Sequence, residues 1–460
     1  MERGGAYRGG RGGRGGHRGG REVTVSKSMS WILRHGAVEL GLEMGNDGYV
    51  SVTDMLQTQR MKQLKVTLQD LMAVVESNDK KRFQMKSESD PITQEQVFYI
   101  RAVQGHTIKT INDEELLEEI KDPFIYEEVI HGTYLNCIQA ILKTGLNKMA
   151  RNHIHMALGM PGKKGVVSGM RGSCEVLVEV NMPRAILQGK VPFYISQNRV
   201  ILSPGLNGEL PSAYFRSVID MKKKEFLYQA PFDYICVYDF ECQCEEGTKN
   251  LTFNEIIEFP VVIIDVKAQK VVAEFQTYVK PTLHPELTEF CTKLTGIEQK
   301  QVDEGVTIKE AIQLVHEFLG KNGVLESEFV FLSCGDFDGN QMRREALHKG
   351  FDVPNYLKRW INIKKVFPKH LFDEKAAKNE VIFVKDVKKS AVSGMPHMLE
   401  LCGLELEGRH HSGIDDCKNI ARCAIKCLQE GFQFTQGMVL SHPFSIDEQP
   451  QSDPNEESKE

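Results

Sequence analysis

The sequence predicts two folded regions of different class, an α+β region followed by an α/β region with a mixed sheet. The chain has 460 residues, which exceeds what one hydrophobic core usually organises, so two or three domains are expected. In the first half, helical segments precede a run of short strands, whereas strands and helices alternate in the second half. Hydrophobic residues make up 41% and charged residues 26% of the chain, which excludes a collagenous chain or one disordered throughout.

The two ends of the chain differ in composition from the rest. Residues 1–22 consist largely of Arg and Gly and offer no apolar face, so a disordered tail is predicted. This segment resembles RGG boxes, whose arginines bind RNA phosphates loosely and with a strong salt dependence. A plain flexible tail is the alternative. Residues 436–460 are predicted to form an acidic, disordered tail.

Charge and cysteine content limit the partners and the compartment. The net charge of -6 gives no general attraction to nucleic acid, so a nucleic-acid site requires a local basic surface or metal ions. Eleven cysteines follow no disulfide framework, which predicts reduced thiols and a cytoplasmic or nuclear protein. No apolar run approaches the ~20 residues that cross a bilayer, and the N-terminus lacks a signal peptide's apolar segment. No membrane partner is therefore expected.

The first folded region is predicted to span residues 23–228 in two lobes. In SKSMSWILRHG, apolar residues recur at helical spacing and a glycine ends the run, which places Arg34 and His35 in the last turn. Further helices and the strand pair KKRFQM and VFYIRAVQGH predict a winged-helix lobe over residues 23–107. Residues 108–228 contain short strands and turns, which predict a separate β-rich lobe.

The segment ARNHIHM alternates polar and apolar residues. In a strand, Arg151, His153 and His155 point to one face, while Ile154 and Met156 point to the other. No Cys or carboxylate stands nearby at ligand spacing, so a zinc site is poorly supported. Arg and His together suit a phosphate or pyrophosphate better.

The first region resembles the RNA 2'-phosphotransferases (tRNA 2'-phosphotransferase, the KptA family) over residues 23–228. The motifs that occur in the family's order are SKSMSWILRHG, NDKKRF, IRAVQGHTI, HGT, ARNHIHMALG, VVSGMRG and FYISQNRVIL. The resemblance implies an ADP-ribosyltransferase-like, NAD-binding β lobe over residues 108–228. The residues that it assigns to the RNA 2'-phosphate are Arg34, His35, Arg82 and Arg151. Those that it assigns to an NAD pocket are His131, Gly132, Thr133, Asn152, His155 and Arg171.

The reaction that this resemblance implies uses NAD as a co-substrate. An internal RNA 2'-phosphate attacks C1'' of the nicotinamide ribose and expels nicotinamide. A ribose hydroxyl then attacks the phosphorus, which releases RNA with a free 2'-OH and ADP-ribose 1'',2''-cyclic phosphate. Because the phosphate is already a nucleophile, the site must mainly orient it and neutralise its charge, which Arg and His side chains can do. No metal is implied in this half.

The second folded region is predicted to span residues 229–435 and to present acidic residues at one edge of its sheet. The strand FDYICVYDFECQC ends in Asp239 and Glu241, which are two positions apart and therefore share a face. The segments IIEFPVVIIDV and EFQTYVK are further strands, TIKEAIQLVHEFLG is a helix, and VFLSCGDFD is a strand with carboxylates at its end. In GRHHSGIDDCKNIARCAIKCLQ, Asp416 lies on the inner face of a helix and His411 precedes that helix.

These carboxylates are expected to converge, because strand ends and helix starts meet at one edge of such a sheet. Asp239, Glu241, one Asp of GDFD and Asp416 would repel one another unless cations occupied the site. Two Mg²⁺ or Mn²⁺ ions resolve the repulsion, activate water and stabilise the leaving oxygen in phosphodiester cleavage. His411 then suits the role of general base.

The second region resembles the DEDDh 3'-to-5' exonucleases, which have an RNase H-like fold, and most closely their Eri-type subgroup. The motifs that carry the resemblance are NEIIEFPVVIIDV, EFCTKLTGIEQKQVD, KRWINIKK and GRHHSGIDDCKNIAR. In that family an aromatic residue precedes the second-motif Asp, which selects Asp338 over Asp336. The spacing of the last motif selects Asp416 over Asp415. The implied metal ligands are Asp239, Glu241, Asp338 and Asp416, with His411 as the catalytic base.

The sequence thus predicts a bifunctional RNA-processing enzyme. Its first domain would remove an RNA 2'-phosphate, as in spliced tRNA, with NAD, and its second would trim RNA from the 3' end with two divalent metals. RNA, either tRNA or a structured RNA 3' end, is the expected partner, and no protein partner is predicted. One alternative is an RNA-binding scaffold with one or both sites dormant. Another is an exonuclease fused to an ADP-ribosyltransferase that modifies a terminal phosphate of nucleic acid.

Overall fold

A computed structural model describes most of the chain. The described residues are 16–78, 80–90, 94–111, 116–161, 170, 172–247, 253–378, 381–442 and 444. The α-helices in chain order are α1 (Gly16–Trp31), α2 (Val52–Gln57), α3 (Gln59–Gln63), α4 (Leu68–Glu76), α5 (Ile138–Thr144), α6 (Met182–Leu187), α7 (Glu289–Thr295), α8 (Gln299–Asp303), α9 (Ile308–Lys321), α10 (Phe337–Lys349), α11 (Ile363–Val366), α12 (Met395–Cys402) and α13 (Gly413–Gln429).

The described residues also form β-strands. They are β1 (Val50–Ser51), β2 (Phe83–Ser89), β3 (Gln96–Ala102), β4 (Leu117–Glu119), β5 (Ile130–Thr133), β6 (Leu146–Asn147), β7 (Ile154–Ala157), β8 (Val176–Val180), β9 (Tyr194–Ser196), β10 (Val200–Ser203), β11 (Glu209–Leu210), β12 (Phe215–Asp220), β13 (Glu225–Gln229), β14 (Tyr234–Val237), β15 (Glu241–Cys242), β16 (Ile256–Asp265), β17 (Lys270–Tyr278), β18 (Phe329–Ser333), β19 (Arg359–Asn362) and β20 (Val439–Ser441).

The chain divides into two compact units, and each is built from several chain segments. The first unit contains Met1–Lys121, Gln139–Ser173 and Val191–Ser212. The second unit contains Asp122–Ile138, Cys174–Lys190 and Ala213–Glu460. The domain boundaries that the sequence suggests stay a prediction.

The first unit combines helices with the predicted hairpin. Strands β2 and β3 pair antiparallel from Phe83↔Ala102 to Ser89↔Gln96, which confirms the strand pair, and β1 joins β3. Helix α4 begins with a capping box, in which Thr67 and Asp70 satisfy each other's backbone N–H groups. A buried apolar cluster joins α1, the short helices and the sheet. Strands β7, β10, β9 and β4 form antiparallel pairs within the same unit.

Secondary structure extends into both segments that the composition predicts as tails. Helix α1 begins at Gly16, inside the segment 1–22 that the composition marks as disordered. The helix extends this far because its next turns bury apolar side chains, and because the Arg21 guanidinium donates to Asp70 Oδ2 at 3.0 Å. At the other end, β20 pairs with β19, so the ordered chain passes the predicted limit at residue 435. Residues 1–15 and 445–460 lie outside the described residues.

The second unit contains the predicted α/β mixed sheet. Its strand order is β15-β16-β14-β18-β19-β20, with β17 also paired to β16. Strands β14, β18 and β19 run parallel, whereas β16 runs antiparallel to β14. Strand β16 is buried over nearly its whole length because one apolar cluster with α12 and α13 and another with α9 and α10 cover the two faces of the sheet. The mixed-sheet prediction is confirmed.

The second unit also contains strands β5, β8, β12 and β13, which pair antiparallel in the order β5-β8-β12-β13. Their connection to the mixed sheet includes buried charges. The Arg216 guanidinium lies 3.0 Å from Glu328 and 3.2 Å from Glu179, and Arg359 lies 3.6 Å from Glu179. Paired charges of both signs make this burial tolerable.

Within the described part of the chain, no helix combines the length and apolar character that crossing a membrane requires.

Candidate functional sites

The carboxylates predicted for the second unit lie where its strands end and two helices begin. Asp239 follows β14 by two residues, and Glu241 is the first residue of β15. Asp338 and Asp416 lie in the first turns of α10 and α13, respectively. Because β14 and β18 are parallel neighbours, the segments that follow them leave the sheet at the same edge.

Three of these carboxylates form one group. Oxygens of Asp239, Glu241 and Asp416 all lie within 4.8 Å of one another. Burial and then the neighbouring carboxylates, Asp338 first, raise the pKa of Asp239 well above its usual value. Burial, followed by Glu258 and Asp416, raises the pKa of Glu241 to about 9. Burial raises the pKa of Asp416 to about 6. The group is therefore costly to ionise without cations.

The structure distinguishes the two aspartates of GDFD. Asp338 is 3% exposed, its Oδ1 accepts the Phe240 N–H at 2.8 Å, and burial raises its pKa to about 7. Asp336 is already neutralised, because Lys365 Nζ lies 2.6 Å from its Oδ2 and Asn362 Nδ2 donates to its Oδ1 at 2.8 Å. Although burial opposes the shift, these partners lower the pKa of Asp336. Asp338 is thus the aspartate that adds uncompensated charge to the group.

The carboxylate group fits divalent cations. Asp416 is 4% exposed, and its Oδ1 has no hydrogen-bond partner among the described residues. Its Oδ2 accepts the His411 backbone N–H at 2.9 Å, which fixes the orientation of the carboxylate. A buried carboxylate oxygen without a donor, surrounded by other carboxylates, is a suitable ligand for Mg²⁺ or Mn²⁺.

His411 lies beside this group, at the turn before α13. Its backbone has a left-handed φ of 66°, which reverses the chain just before the helix. Burial lowers the pKa of its imidazole, as do the adjacent His410 and Arg409. The shift favours the neutral ring, which is the form that can accept a proton.

Glu258 on β16 is a functional residue that the sequence analysis missed. Its Oε2 and Oε1 accept the backbone N–H groups of Gly413 and Ile414, each at 3.1 Å. Gln276 Nε2 donates to Oε1 at 2.8 Å. Ser412 occupies the N-cap position of α13 but makes no side-chain cap bond, so Glu258 caps the helix instead. The sequence signal that could have identified it is the presence of a glutamate within the apolar run EIIEFPVVIID, where a buried charge needs a partner.

A residue without a side chain is needed where α13 begins. A Cβ on Gly413 would lie 2.8 Å from the Asp239 carbonyl oxygen and 3.0 Å from Glu258 Oε2. The helix start can therefore approach the strand end that carries Asp239, and this close packing sets the position of Asp416 one turn further on.

The predicted 2'-phosphate residues in the first unit form a cluster of positive charge. Burial, and then the charges of Arg82 and Arg151, lower the pKa of Arg34 to about 10. The Arg34 Nε atom is buried and has no hydrogen-bond partner among the described residues. Guanidinium groups that repel one another around an unpaired donor form a site for an anion.

His35 and Thr107 hold the turn that carries Arg34. The residues Ile32–Gly36 form one π-helical turn directly after α1, as expected for the last turn of that helix. The Thr107 backbone N–H donates to the Arg34 carbonyl at 3.0 Å, and His35 Nδ1 lies 3.1 Å from Thr107 Oγ1. Burial and then Arg34 and Arg151 lower the pKa of His35.

The histidines of ARNHIHM occupy positions that differ from the predicted strand face. Strand β7 begins at Ile154, so Arg151 and His153 precede it, and only His155 of the three polar residues lies on it. His153 is 7% exposed and is therefore buried within the unit. Its ring meets Tyr194 edge-on, with ring centroids 6.1 Å apart.

His155 is placed next to the arginine cluster. Gly105 has a φ of 86°, and a Cβ there would lie 3.5 Å from both Arg34 Nε and His155 Nε2. Burial, followed by Arg151, lowers the pKa of His155 to about 3, so the ring is neutral. Its Nδ1 lies 3.0 Å from the His153 carbonyl, which makes Nδ1 the donor and leaves Nε2 as the acceptor.

The remaining residues assigned to NAD fall into three groups. Asn152 donates through Nδ2 to the Ile108 carbonyl at 3.2 Å and accepts from Lys109 Nζ at 2.9 Å. The residues His131, Gly132 and Thr133 form part of β5 in the second unit. Arg171 lies outside the described residues.

His106 is a second residue that the sequence analysis missed, although it lies in the quoted motif IRAVQGHTI. It is 3% exposed, and its Nε2 has no hydrogen-bond partner within the described structure. Burial and then Arg34 and His35 lower its pKa to about 3, so the ring stays neutral beside the arginines.

Comparison with known proteins gives two family matches. Residues 20–205 match the RNA 2'-phosphotransferase, Tpt1 / KptA family, and residues 236–424 match the Exonuclease family. The tRNA 2'-phosphotransferase 1 of Danio rerio is 41% identical over 198 residues, which cover 42% of this chain and 84% of that protein.

The second half has its own relatives. The 3'-5' exoribonuclease 1 of Rattus norvegicus is 34% identical over 220 residues, which cover 47% of this chain. The match spans 59% of the length of that exoribonuclease. The crystallographic structure of the nuclease domain of 3'hExo, a DEDDh family member bound to rAMP, is 33% identical. That comparison covers 45% of this chain and 96% of the other, with a TM-score of 0.38. The chain therefore belongs to the Tpt1/KptA family of RNA 2'-phosphotransferases and carries, in its second half, a domain of the exonuclease family.

Proposed function

We propose that the protein is a bifunctional RNA-processing enzyme. One activity transfers an RNA 2'-phosphate, as in spliced tRNA, to ADP-ribose from NAD, giving nicotinamide and ADP-ribose 1'',2''-cyclic phosphate. The other is DEDDh-type 3'-to-5' trimming of RNA with divalent metal. The observation that carries the proposal is the presence of two groups of unbalanced charge, one in each unit. Arg34, with Arg82 and Arg151 near it, is positive, and the largely buried group of Asp239, Glu241 and Asp416 is negative. Each is costly unless a ligand of the other sign binds.

In the phosphotransferase, the arginines are proposed to hold the RNA phosphate. The 2'-phosphate oxygen forms a bond to C1'' of NAD as the bond to nicotinamide breaks, and O2'' then displaces the RNA 2'-oxygen from phosphorus. Arg34, Arg82 and Arg151 neutralise the phosphate in both steps, and His35 orients it. The neutral His155 can accept a hydrogen bond from a ribose hydroxyl through Nε2. A winged-helix lobe over 23–107 and an ADP-ribosyltransferase-like lobe over 108–228 remain part of this proposal.

In the exonuclease, the carboxylates are proposed to hold two cations and His411 to move a proton. Bound Mg²⁺ or Mn²⁺ would favour deprotonation of the attacking water and stabilise charge on the cleaved phosphodiester. The assigned ligands are Asp239, Glu241, Asp338 and Asp416. A neutral His411 accepts the proton of the attacking water, and the His411 backbone N–H keeps Asp416 in its orientation.

The decisive experiment supplies the pure protein with an RNA that carries one internal 2'-phosphate. NAD and Mg²⁺ are added separately and together, and nicotinamide, 2'-dephosphorylated RNA and shortened RNA are measured. NAD alone should give dephosphorylation that survives EDTA, and Mg²⁺ alone should give shortening from the 3' end. Stable ADP-ribosylated RNA without dephosphorylation would favour the terminal-phosphate alternative. Neither product would favour a scaffold.

A further inference from the structure

His410 lies beside the proposed exonuclease site but has no part in the proposed reaction. Its ring stacks on His411, with centroids 4.1 Å apart and an interplanar angle of 23°. The possible ligand atoms of His410, His411 and Asp416 all lie within 4.8 Å of one another. This set offers two imidazole nitrogens and one carboxylate oxygen, which differs from the oxygen-only group formed with Asp239 and Glu241.

The carboxylate of this set is shared with the proposed catalytic metal group. Asp416 is 4% exposed, its Oδ2 is held by the His411 N–H, and its Oδ1 lacks a partner among the described residues. The side chains of His410 and His411, by contrast, are both exposed. A fixed, buried oxygen therefore stands at the base of an accessible pair of nitrogen donors.

We propose that His410, His411 and Asp416 form a second cation site that binds Zn²⁺ and inhibits the exonuclease. Imidazole together with carboxylate suits Zn²⁺, whereas Mg²⁺ prefers oxygen ligands. Three protein ligands leave one tetrahedral position for water. The inhibitory part of the proposal rests on the proposed exonuclease function.

Inhibition follows from shared residues. Zn²⁺ in this site would occupy the lone pair with which His411 accepts a proton, and it would draw Asp416 away from the Asp239 and Glu241 group. Zn²⁺ and a complete catalytic Mg²⁺ set would thus exclude each other. Since Zn²⁺ lies far above Mg²⁺ in affinity for nitrogen ligands, low Zn²⁺ concentrations should compete with much higher Mg²⁺ concentrations.

The binding test uses the full chain without RNA or Mg²⁺. Co²⁺ is titrated as a spectroscopic substitute, and its visible absorption reports four-coordinate binding; Zn²⁺ is then added to displace it. His410→Ala should weaken the affinity by at least about tenfold, because even changes outside the ligand shell cost metal sites that much. His397→Ala is the matched control, since His397 lies in the same unit but bonds to Ser393. Equal Co²⁺ spectra for the wild type and His410→Ala would overturn the site.

The activity test measures release of 3'-terminal nucleotides at fixed Mg²⁺ while Zn²⁺ is varied. Relative to its own rate without Zn²⁺, His410→Ala should need about tenfold more Zn²⁺ for half-inhibition, while His397→Ala behaves as the wild type. Identical Zn²⁺ inhibition of His410→Ala and the wild type would overturn the inhibitory role. If the wild type showed no nuclease activity but bound Co²⁺ through His410, the proposed function would fail while the metal site stood.

Discussion

Replacement of Glu258 tests whether the position of α13 controls the exonuclease site. Glu258 is 1% exposed and accepts three hydrogen bonds, two of them from the first backbone N–H groups of α13. Asp416 and His411 lie on either side of that helix start. We expect Glu258→Ala to loosen the helix start and to lower kcat for RNA cleavage, with little change in KM, because the substrate contacts remain.

The structure allows an estimate of the cost. Glu258→Ala leaves two N–H groups without their acceptor, at about 1–3 kcal/mol each. Without metal, part of this loss is recovered, because Glu258 is among the charges that raise the pKa of Asp239 and Glu241. We therefore expect about 2–6 kcal/mol of destabilisation with Mg²⁺ and less in EDTA. A helix start displaced by about 1 Å can cost on the order of 10²-fold in rate.

The assay separates stability from catalysis. The chain has two tryptophans, so Trp31→Phe leaves Trp360, which is buried in the second unit, as the fluorescent reporter of urea unfolding. Glu274→Gln is the matched control. Glu274 also contacts α13, through Lys418 at 3.0 Å, but both side chains are at least 40% exposed. This surface pair should contribute less than about 1 kcal/mol and leave kcat unchanged.

Two outcomes would refute the reasoning about Glu258. If Glu258→Ala lost stability as expected but kept the wild-type kcat, the residue would serve only the fold. If Glu258→Gln, which keeps one acceptor oxygen, restored neither kcat nor stability relative to Glu258→Ala, capping by the side chain would not explain the effect.

Three further predictions concern the two sites. Asp338→Asn should abolish RNA shortening while Asp336→Asn retains most of it, because Asp336 is already paired with Lys365 and Asn362. Trimming of a labelled RNA by the two variants measures this difference. An inactive Asp336→Asn beside an active Asp338→Asn would show that Asp336, not Asp338, is the metal ligand. Arg151→Ala should slow dephosphorylation, with ADP-ribose-linked RNA accumulating on gels, and should leave the exonuclease unchanged; a fully active variant would contradict the assignment of the phosphate site. In EDTA the thermal midpoint of the second unit should fall as pH rises from about 5 to 9, because the pKa of Glu241 is raised from 4.5 to about 9 in the folded state, and its stabilising proton is lost on the way. Mg²⁺ should reverse this fall at high pH, and a flat profile would argue against the raised pKa.

The elements that the sequence predicted are those with a clear repeat. In β16, α9 and α13 the pattern of apolar residues within the segment itself indicates a buried strand or an amphipathic helix. These elements could therefore be predicted from the local sequence alone. The convergence of Asp239, Glu241 and Asp416 could also be predicted, because each follows a strand or begins a helix at a known edge.

The features that escaped prediction depend on distant partners. Glu258 caps a helix that begins 155 positions later. Its strand shows an acidic residue within an apolar run, but does not show which group that residue bonds to. The same holds for the extended helix α1, whose Arg21 bonds to Asp70, 49 positions away. The edge strand β20 forms only because β19 offers an unpaired side. Hydrogen bonds of this kind follow from the fold and cannot be read before it.

The aspartates of GDFD show how a local ambiguity is resolved by such distant contacts. Asp336 and Asp338 are two positions apart where the chain passes from β18 into α10, and the chain direction alone does not choose between them. The choice comes from Lys365 and Asn362 on another part of the chain, which neutralise Asp336, and from the Phe240 N–H, which orients Asp338 without cancelling its charge. A carboxylate that is paired with a lysine has its charge already balanced and gains little from a metal cation. A buried carboxylate that accepts a hydrogen bond only from a neutral N–H keeps an unbalanced charge, which a cation can neutralise. Asp338 is therefore the better candidate for the metal ligand, because its neighbour Asp336 is already paired with Lys365 and Asn362.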